Sequence, residues 1–221
     1  MRENRFLIVF AKEPRCGQVK TRLRNLLSER QVVNLYKAFI KDTIKLGNKC
    51  KNFNKIIAYH AQGNPVYLKK VASKYTFYKQ RGVSLGQRLY NAFEFARNQG
   101  ATKTVIIGSD APDLPFSYID TAFRKLASHE VIFGPSKDGG YYLVALKKPI
   151  RNIFQNIKWS TCSVLAQSLA KAKKANKKVY LLKVWQDVDS CEDLRRLREF
   201  LKTKKSTAIN TRRFLYGKSF K

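Results

Sequence analysis

"TVIIGSDAPDL", residues 104–114, is the stretch that decides the fold, and it also carries two of the few acidic side chains. Its first residues form an apolar run, which is typical of a strand buried on both faces. The run stops at Gly108, and Asp110 and Asp113 follow at once. Because ligands of open α/β sheets bind at the carboxyl ends of the strands, the stretch predicts an interior strand that delivers carboxylates to a binding site.

The same alternation of strand and helix patterns continues on both sides of this stretch. The periodicity predicts strands at 5–10, 55–60, 75–80, 104–109, 130–135, 140–146 and 178–184. It predicts helices at 28–47, 85–100, 117–128, 160–175 and 190–201. Such alternation is typical of βαβ units, so we expect an α/β fold: a single-domain, doubly wound, mostly parallel sheet flanked by helices. We expect the domain to span residues 1–203, with a basic C-terminal tail at 204–221.

The charge balance is unusual. The 221 residues include 45 Lys+Arg and 15 Asp+Glu, a net charge of +30. Small soluble domains typically have a net charge of magnitude about 2–8. This excess favours anionic partners, although its spread over both halves of the chain also fits a surface that is generally rich in lysine. The basic segment 195–221 fits weak contact with an anionic membrane or RNA, or only a solvated helix end.

Cysteine usage and hydropathy indicate the compartment. The four cysteines are widely spaced and form no C-x-x-C pair, which argues against a zinc site or a disulfide framework and favours a reducing compartment. The apolar run near the N-terminus is too short for a signal peptide, and no stretch approaches the ~20 apolar residues of a membrane span. We therefore expect a cytoplasmic protein.

The turn after the first strand, "AKEPRCGQVKTRL" at 11–23, has the composition of a phosphate-binding loop. Pro14 and Gly17 shape a turn, and such loops offer backbone N–H groups and cationic side chains to a polyphosphate. Its candidate ligands are Lys12, Arg15, Lys20, Thr21 and Arg22. The loop is neither a Walker A motif nor G-x-G-x-x-G, and taken alone it also fits a solvated turn.

Acidic and glycine-rich turns follow three later strands. Asp110 offers the hard oxygen ligands that Mg²⁺ or Mn²⁺ prefers, and either Asp187 or Asp189 after the last strand could supply a second ligand. Asp113 fits either a metal ligand or a brace of the turn. In the segment 134–144, glycines would let the backbone approach a ligand, although Asp-Gly is also a hairpin signal. Trp159 is a further candidate for a pocket wall, whereas His60 and His129 are interpreted as structural.

Motifs along the chain carry a family resemblance. They are "FAKEPRCGQVKTRL", "DT" at 42–43, "GVSLGQRL" at 82–89, "IGSDAPDL", "FGPSKDGGYYLVAL", "WST" at 159–161 and "DVDSCEDL". In this order they resemble a bacterial glycosyltransferase-like family, over about residues 5–200, whose members are described as transferases associated with radical-SAM and selenodomain proteins. That family has the GT-A, or nucleotide-diphospho-sugar transferase, fold and is similar to guanylyltransferases of molybdenum-cofactor and deazaflavin-cofactor synthesis.

The resemblance implies a site. It seats a nucleotide over the first βα loop and a divalent metal, Mg²⁺ or Mn²⁺, on Asp110 and, by analogy with nucleotidyltransferases, on Asp189. Taken together with the composition of the turns, it assigns nucleotide binding to Lys12, Gly17, Lys20, Thr21, Arg22, Gly86, Arg88, Gly139, Gly140 and Tyr141. Two positions depart from the family pattern: Gln18 removes one potential phosphate contact, and Ala111 stands where a cysteine is typical.

The function predicted first is metal-dependent glycosyl transfer from an NDP-sugar to a small acceptor. Lys20, Arg22 and a metal ion held by Asp110 would neutralise the leaving phosphate, and Asp138 is the candidate base for the acceptor hydroxyl. The alternative is nucleotidyl transfer, in which an NTP and a phosphorylated acceptor yield pyrophosphate. A more distant alternative is a nucleic-acid-binding module; it is disfavoured because acids at the strand ends would repel phosphates unless a metal intervened.

Overall fold

One seven-stranded sheet organises the fold in the computed structural model, which describes residues 3–204 and 207–217. Its strands are β1 (Arg5–Lys12), β2 (Asn54–His60), β3 (Thr76–Lys79), β4 (Lys103–Gly108), β5 (Val131–Pro135), β6 (Tyr141–Leu146) and β7 (Val179–Leu181). They lie in the order β3-β2-β1-β4-β6-β5-β7. The pairs β1–β2, β1–β4, β2–β3 and β5–β7 are parallel, and β6 is antiparallel to β4 and β5. The predicted α/β class with a mostly parallel sheet is confirmed.

Helices cover both faces of the sheet. They are α1 (Glu29–Gly47), α2 (Val66–Val71), α3 (Leu85–Asn98), α4 (Phe116–Lys125), α5 (Val164–Lys174), α6 (Cys191–Thr203) and α7 (Ile209–Tyr216). Short 3₁₀ turns occupy Thr21–Asn25 and Arg151–Phe154. The sequence pattern did not predict α2 and α7. It also placed the start of α5 too early, at 160, because Ser160 has a left-handed backbone (φ 64°) that a helix does not accept.

Side-chain alternation along the central strands builds a core on each face. In β1, Leu7 and Val9 join the core layer that contains α1 residues, whereas Phe6 and Ile8 join the opposite layer beneath α3. The continuous apolar runs seen in the sequence therefore belong to strands that are covered on both sides. The helix predicted from residue 28 is present as α1; Ser28 is its N-cap and is reinforced by Gln31 in a reciprocal capping box.

Helix α7 packs against α1 through the buried carboxylate of Asp42. One oxygen of Asp42 accepts hydrogen bonds from the backbone N–H and the side-chain amide of Asn210, at 3.0 and 2.8 Å. The other accepts from the backbone N–H and the hydroxyl of Thr211, both at 2.7 Å. Part of the predicted basic tail is thus a helix in contact with the domain, while residues 205–206 and 218–221 of that tail lie outside the described residues.

Within the described ranges, no helix combines the length and apolar character needed to cross a membrane.

Candidate active site

An open cleft of about 740 Å³ lies at the carboxyl ends of β1, β2 and β4. β1 and β4 are neighbours in the sheet, and the chain continues from β1 to β2 on one side and from β4 to its later strands on the other. Ligands of doubly wound sheets bind at such a reversal of strand order. The predicted site residues that line the cleft are Lys12, Lys20, Thr21, Arg22, Arg88, Asp110, Asp138, Gly140, Tyr141, Trp159, Asp187 and Asp189.

A three-residue charge cluster lies in this cleft. The ammonium nitrogen of Lys20 is 2.6 Å from Oδ1 of Asp110 and 2.7 Å from Oδ1 of Asp189. The Lys20 side chain is 5% exposed, whereas the carboxylates remain 40% and 50% exposed. The structure thus brings both predicted metal ligands to the predicted phosphate-binding lysine, and the ammonium lies between the two carboxylates.

Backbone features hold the three members of this cluster in place. Asp110 follows the end of β4, and its carbonyl accepts the N–H of Val188 at 2.9 Å, which fixes the segment that carries Asp189. Lys20 caps the 3₁₀ turn Thr21–Asn25 and has a left-handed backbone (φ 45°, ψ 41°). A non-glycine residue in this conformation is strained and is often found at functional sites.

Electrostatics keep Lys20 charged. Burial opposes the charge of its ammonium, but attraction by Asp110 and Asp189 outweighs burial and raises the pKa of Lys20. For Asp187 the neutral form is favoured instead: burial, followed by repulsion from Asp110, raises the pKa of its carboxyl to about 8. The sequence left both acids open as a second ligand. Asp189 is the one that contacts Lys20, whereas Asp187 lies in the cleft wall.

The loop that leads to Lys20 is anchored at its start by a buried acid. The carboxylate of Glu13 accepts the N–H groups of Tyr67 and Leu68, at 2.7 and 3.2 Å, at the first turn of α2. Gly17 is exposed, has a positive φ of 76° and does not line the cleft. Its contribution is thus to the course of the loop, and the cleft-facing groups of the loop are Lys12, Lys20, Thr21 and Arg22.

The glycine-rich segment forms the connection between β5 and β6, which are antiparallel neighbours. Oδ1 of Asp138 accepts hydrogen bonds from the Ser136 hydroxyl and from the N–H of Gly140. One oxygen of the predicted catalytic base therefore braces the turn. Gly139 does not line the cleft; a Cβ there would lie 1.9 Å from the carbonyl oxygen of Cys162. Gly139 serves close packing of the turn, and Gly140 faces the cleft.

An aromatic wall closes the other side of the cleft. Trp159 lines the cleft, and the ring of Tyr141 packs 6.3 Å from its ring and 4.9 Å from that of Phe133. Gly86 is buried behind this wall, where a Cβ would lie 2.3 Å from the Phe154 carbonyl oxygen. Gly86 therefore allows the first turn of α3 to approach Phe154, and it does not itself face the cleft.

Tyr36 and His60 are among the cleft residues that were not assigned to the site from the sequence. The hydroxyl of Tyr36 accepts the N–H of Lys12 at 3.0 Å and lies 2.8 Å from the Ser109 hydroxyl, which ties the ends of β1 and β4 together. Tyr36 lies on the apolar stripe of α1, so the pattern identified it only as a core residue. His60, interpreted from the sequence as structural, is exposed in the cleft wall. It lies opposite Lys12 in the register of β1 and β2, at the point where both strands end.

Asp113 lies apart from the charge cluster. Its side chain is buried and accepts a hydrogen bond from the Trp185 indole at 3.4 Å. Burial raises the pKa of the Asp113 carboxyl above its ordinary value. Of the two interpretations left open for this residue, the structure places it as a brace of the turn after β4.

Comparisons with known proteins agree with this architecture. A model of the family described as "Uncharacterized protein conserved in bacteria (DUF2064)" matches residues 43–161, a range that includes Asp110 but not Lys20 or Asp189. A curated relative, 2-phospho-L-lactate guanylyltransferase from Methanocaldococcus sp. (strain FS406-22), is 26% identical over 181 residues, which cover 80% of this chain and 75% of the relative.

Two solved structures illustrate the range of structural similarity. A protein provisionally named a nucleotide-diphospho-sugar transferase, from Desulfovibrio desulfuricans G20, matches with a TM-score of 0.89 and 28% identity, covering 97% of this chain and 94% of that chain. A Mycobacterium tuberculosis H37Rv protein, Rv0371C in complex with manganese, matches with a TM-score of 0.54 and 17% identity, covering 89% and 98%. The GT-A-like fold implied by the family resemblance is confirmed.

Proposed function

The chain belongs to the bacterial family DUF2064 and is a transferase, and from this premise we propose that it transfers a nucleotidyl group from a nucleoside triphosphate to a small phosphorylated acceptor. The observation that carries the proposal is the Lys20–Asp110–Asp189 cluster at the base of the cleft. The guanylyltransferase relative supports it, since its name describes this class of reaction on a phosphorylated acid.

In this reaction an oxygen of the acceptor phosphate attacks the α-phosphorus, and the bond from the α-phosphorus to the bridging oxygen breaks, which releases pyrophosphate. Negative charge develops on that leaving group. Lys20 and Arg22 lie on one side of the cleft, where they can neutralise this charge. The catalysis expected from this chain is therefore mainly positioning and charge neutralisation, for which the cleft needs no covalent nucleophile.

The donor set at the cluster fits a divalent cation. Asp110 and Asp189 present partly exposed carboxylates to a single positive group, the Lys20 ammonium, which stands where a metal ion would bind. Among the residues described, no group of three or more His, Cys, Asp or Glu side chains could hold a metal, so a cation on these two acids would take its other ligands from phosphate oxygens and water. We therefore propose that Asp110 and Asp189 hold Mg²⁺ or Mn²⁺ together with phosphate oxygens and water, and the manganese complex of a protein with this fold supports that choice. The bound cation would add positive charge next to the transferred phosphate.

Glycosyl transfer from an NDP-sugar is the second candidate. The structural match at a TM-score of 0.89, to a protein provisionally named a nucleotide-diphospho-sugar transferase, favours it. The guanylyltransferase relative favours nucleotidyl transfer, and one oxygen of the base that glycosyl transfer would need, Asp138, is bonded to its own turn. We therefore rank nucleotidyl transfer first.

A product assay separates the two reactions. The protein is incubated with each NTP, Mg²⁺ or Mn²⁺ and a panel of phosphorylated small acids that includes 2-phospholactate, and pyrophosphate release is measured. A parallel series with NDP-sugars measures release of UDP or GDP. The Asp110→Asn variant is the matched control, because it keeps the size of the side chain and removes the negative charge of the proposed metal ligand. Release of a nucleoside diphosphate without release of pyrophosphate would overturn the ranking. If Asp110→Asn retains the activity of the wild type, Asp110 is not part of the site.

A further inference from the structure

We propose that Lys20 is an internal counter-ion that occupies the cation position between Asp110 and Asp189 until a polyphosphate arrives, so that the nucleotide and the divalent cation bind together. The inference rests on the proposed function, since it assumes that the cleft takes a polyphosphate and a cation. It adds an autoinhibitory contact that the nucleotide must release.

The first argument is geometric. One ammonium nitrogen lies within 2.7 Å of an oxygen from each carboxylate, and the lysine side chain is almost completely buried while both acids open to the cleft. Mg²⁺ requires oxygen ligands at about 2.0–2.1 Å, so an ion bound to the same two oxygens would overlap the present position of the nitrogen. The ammonium and the metal ion therefore compete for one place.

The second argument concerns charge. The ammonium and the two carboxylates that it contacts together carry a formal charge of −1. A divalent ion that entered without displacing Lys20 would meet a fixed positive charge at contact distance. With only two carboxylates in the cluster, too few protein ligands are present to overcome that repulsion, so a free cation should bind weakly.

The third argument is that a polyphosphate gives Lys20 another partner. Lys20 directly precedes Thr21 and Arg22, which also line the cleft, and an ammonium has three rotatable N–H donors on a flexible stem. Phosphate oxygens bound over this loop would attract the ammonium away from the acids and would supply the missing ligands of the cation. By linkage, the cation would then strengthen nucleotide binding by the same factor by which the nucleotide strengthens cation binding.

The test measures Mn²⁺ binding to the nucleotide-free protein by electron paramagnetic resonance. Lys20→Met removes the ammonium, and we expect it to tighten Mn²⁺ binding at least 10-fold, although the same change should weaken nucleotide binding. Lys12→Met is the matched control: it also removes a lysine charge from the cleft wall, but Lys12 forms none of the ion pairs found among the described residues. We expect Lys12→Met to change Mn²⁺ affinity by less than 3-fold.

Two further variants complete the test. Adding Asp189→Asn to Lys20→Met should abolish the tightened Mn²⁺ site, which locates it in the cluster. If unpaired acids prevent Lys20→Met from folding, Lys20→Gln keeps a polar group there and carries the same expectation, with the Mn²⁺-induced rise in melting temperature as a second readout. The proposal is overturned if neither Lys20 variant binds Mn²⁺ more tightly than the wild type, or if Lys12→Met tightens it equally. The Mn²⁺ measurement needs no turnover. An absence of pyrophosphate release would therefore refute the proposed function but would leave the result of the Mn²⁺ measurement to be judged by itself.

Discussion

Replacing Asp42 by alanine should destabilise the whole domain, because it removes the contact that fixes α7 to α1. Both carboxylate oxygens are used, by the N–H groups and side chains of Asn210 and Thr211. Thr211 is completely buried, so its N–H and its hydroxyl would have no acceptor, whereas Asn210 is partly exposed and can turn to water. A buried unsatisfied polar group costs about 1–3 kcal/mol, so the expected loss in free energy of unfolding is about 2–5 kcal/mol.

Urea and thermal unfolding followed by circular dichroism measure this loss. For a chain of this length, 1 kcal/mol lowers the melting temperature by roughly 2–4 °C. Asp42→Asn keeps one acceptor oxygen and should lose about half as much. Lys41→Ala, at an exposed position one residue earlier in α1, should change stability by about 0.5 kcal/mol or less. A loss below about 1 kcal/mol for Asp42→Ala, equal to that of Lys41→Ala, would mean that α7 is not an integral part of the domain.

Three further changes test the cleft. Tyr36→Phe removes the hydroxyl that ties the ends of β1 and β4 together, and we expect a loss of about 1–3 kcal/mol in urea unfolding; an unchanged midpoint would contradict that brace. Gly139→Ala should lower the melting temperature more than Gly140→Ala, since its Cβ would lie 1.9 Å from a backbone oxygen, compared with 3.3 Å for the nearest atom at Gly140; equal effects would argue against close packing at Gly139. Asp138→Asn should reduce kcat of pyrophosphate release less than 10-fold. Loss of a general base costs about 10²–10⁴-fold, so a reduction in that range would show that Asp138 acts as the base.

Much of the secondary structure was predictable because it depends on local pattern. The strand that ends at Gly108 and the one that begins at Arg5 are continuous apolar runs, and such runs indicate strands buried on both faces. The helix predicted from residue 28 begins at Ser28 as its N-cap, a signal that a single serine before an apolar stripe carries. Short elements without a clear pattern, such as α2, were missed because their stability comes from tertiary contacts, in this case the Glu13 carboxylate at the first turn.

The candidate site was predictable in part. Residues that follow strand ends, such as Lys20 and Asp110, were identified because the carboxyl edge of a parallel sheet collects them. Gly86 and Gly139 were assigned to nucleotide binding, but they serve close packing next to Phe154 and Cys162. A sequence does not distinguish these two uses of glycine, because both require the absence of a side chain and differ only in what lies opposite.

By itself, therefore, the sequence determined the alternation of strands and helices, the class of the sheet and the presence of acids and bases after its strands, since all of these follow from neighbouring residues and their periodicity. Only the tertiary structure decided that β6 runs antiparallel between β4 and β5, that α7 docks on Asp42, and that one lysine forms ion pairs with two aspartates far away along the chain. The physical reason is that strand order and ion pairing depend on which distant segments share the core, and no local pattern encodes that choice.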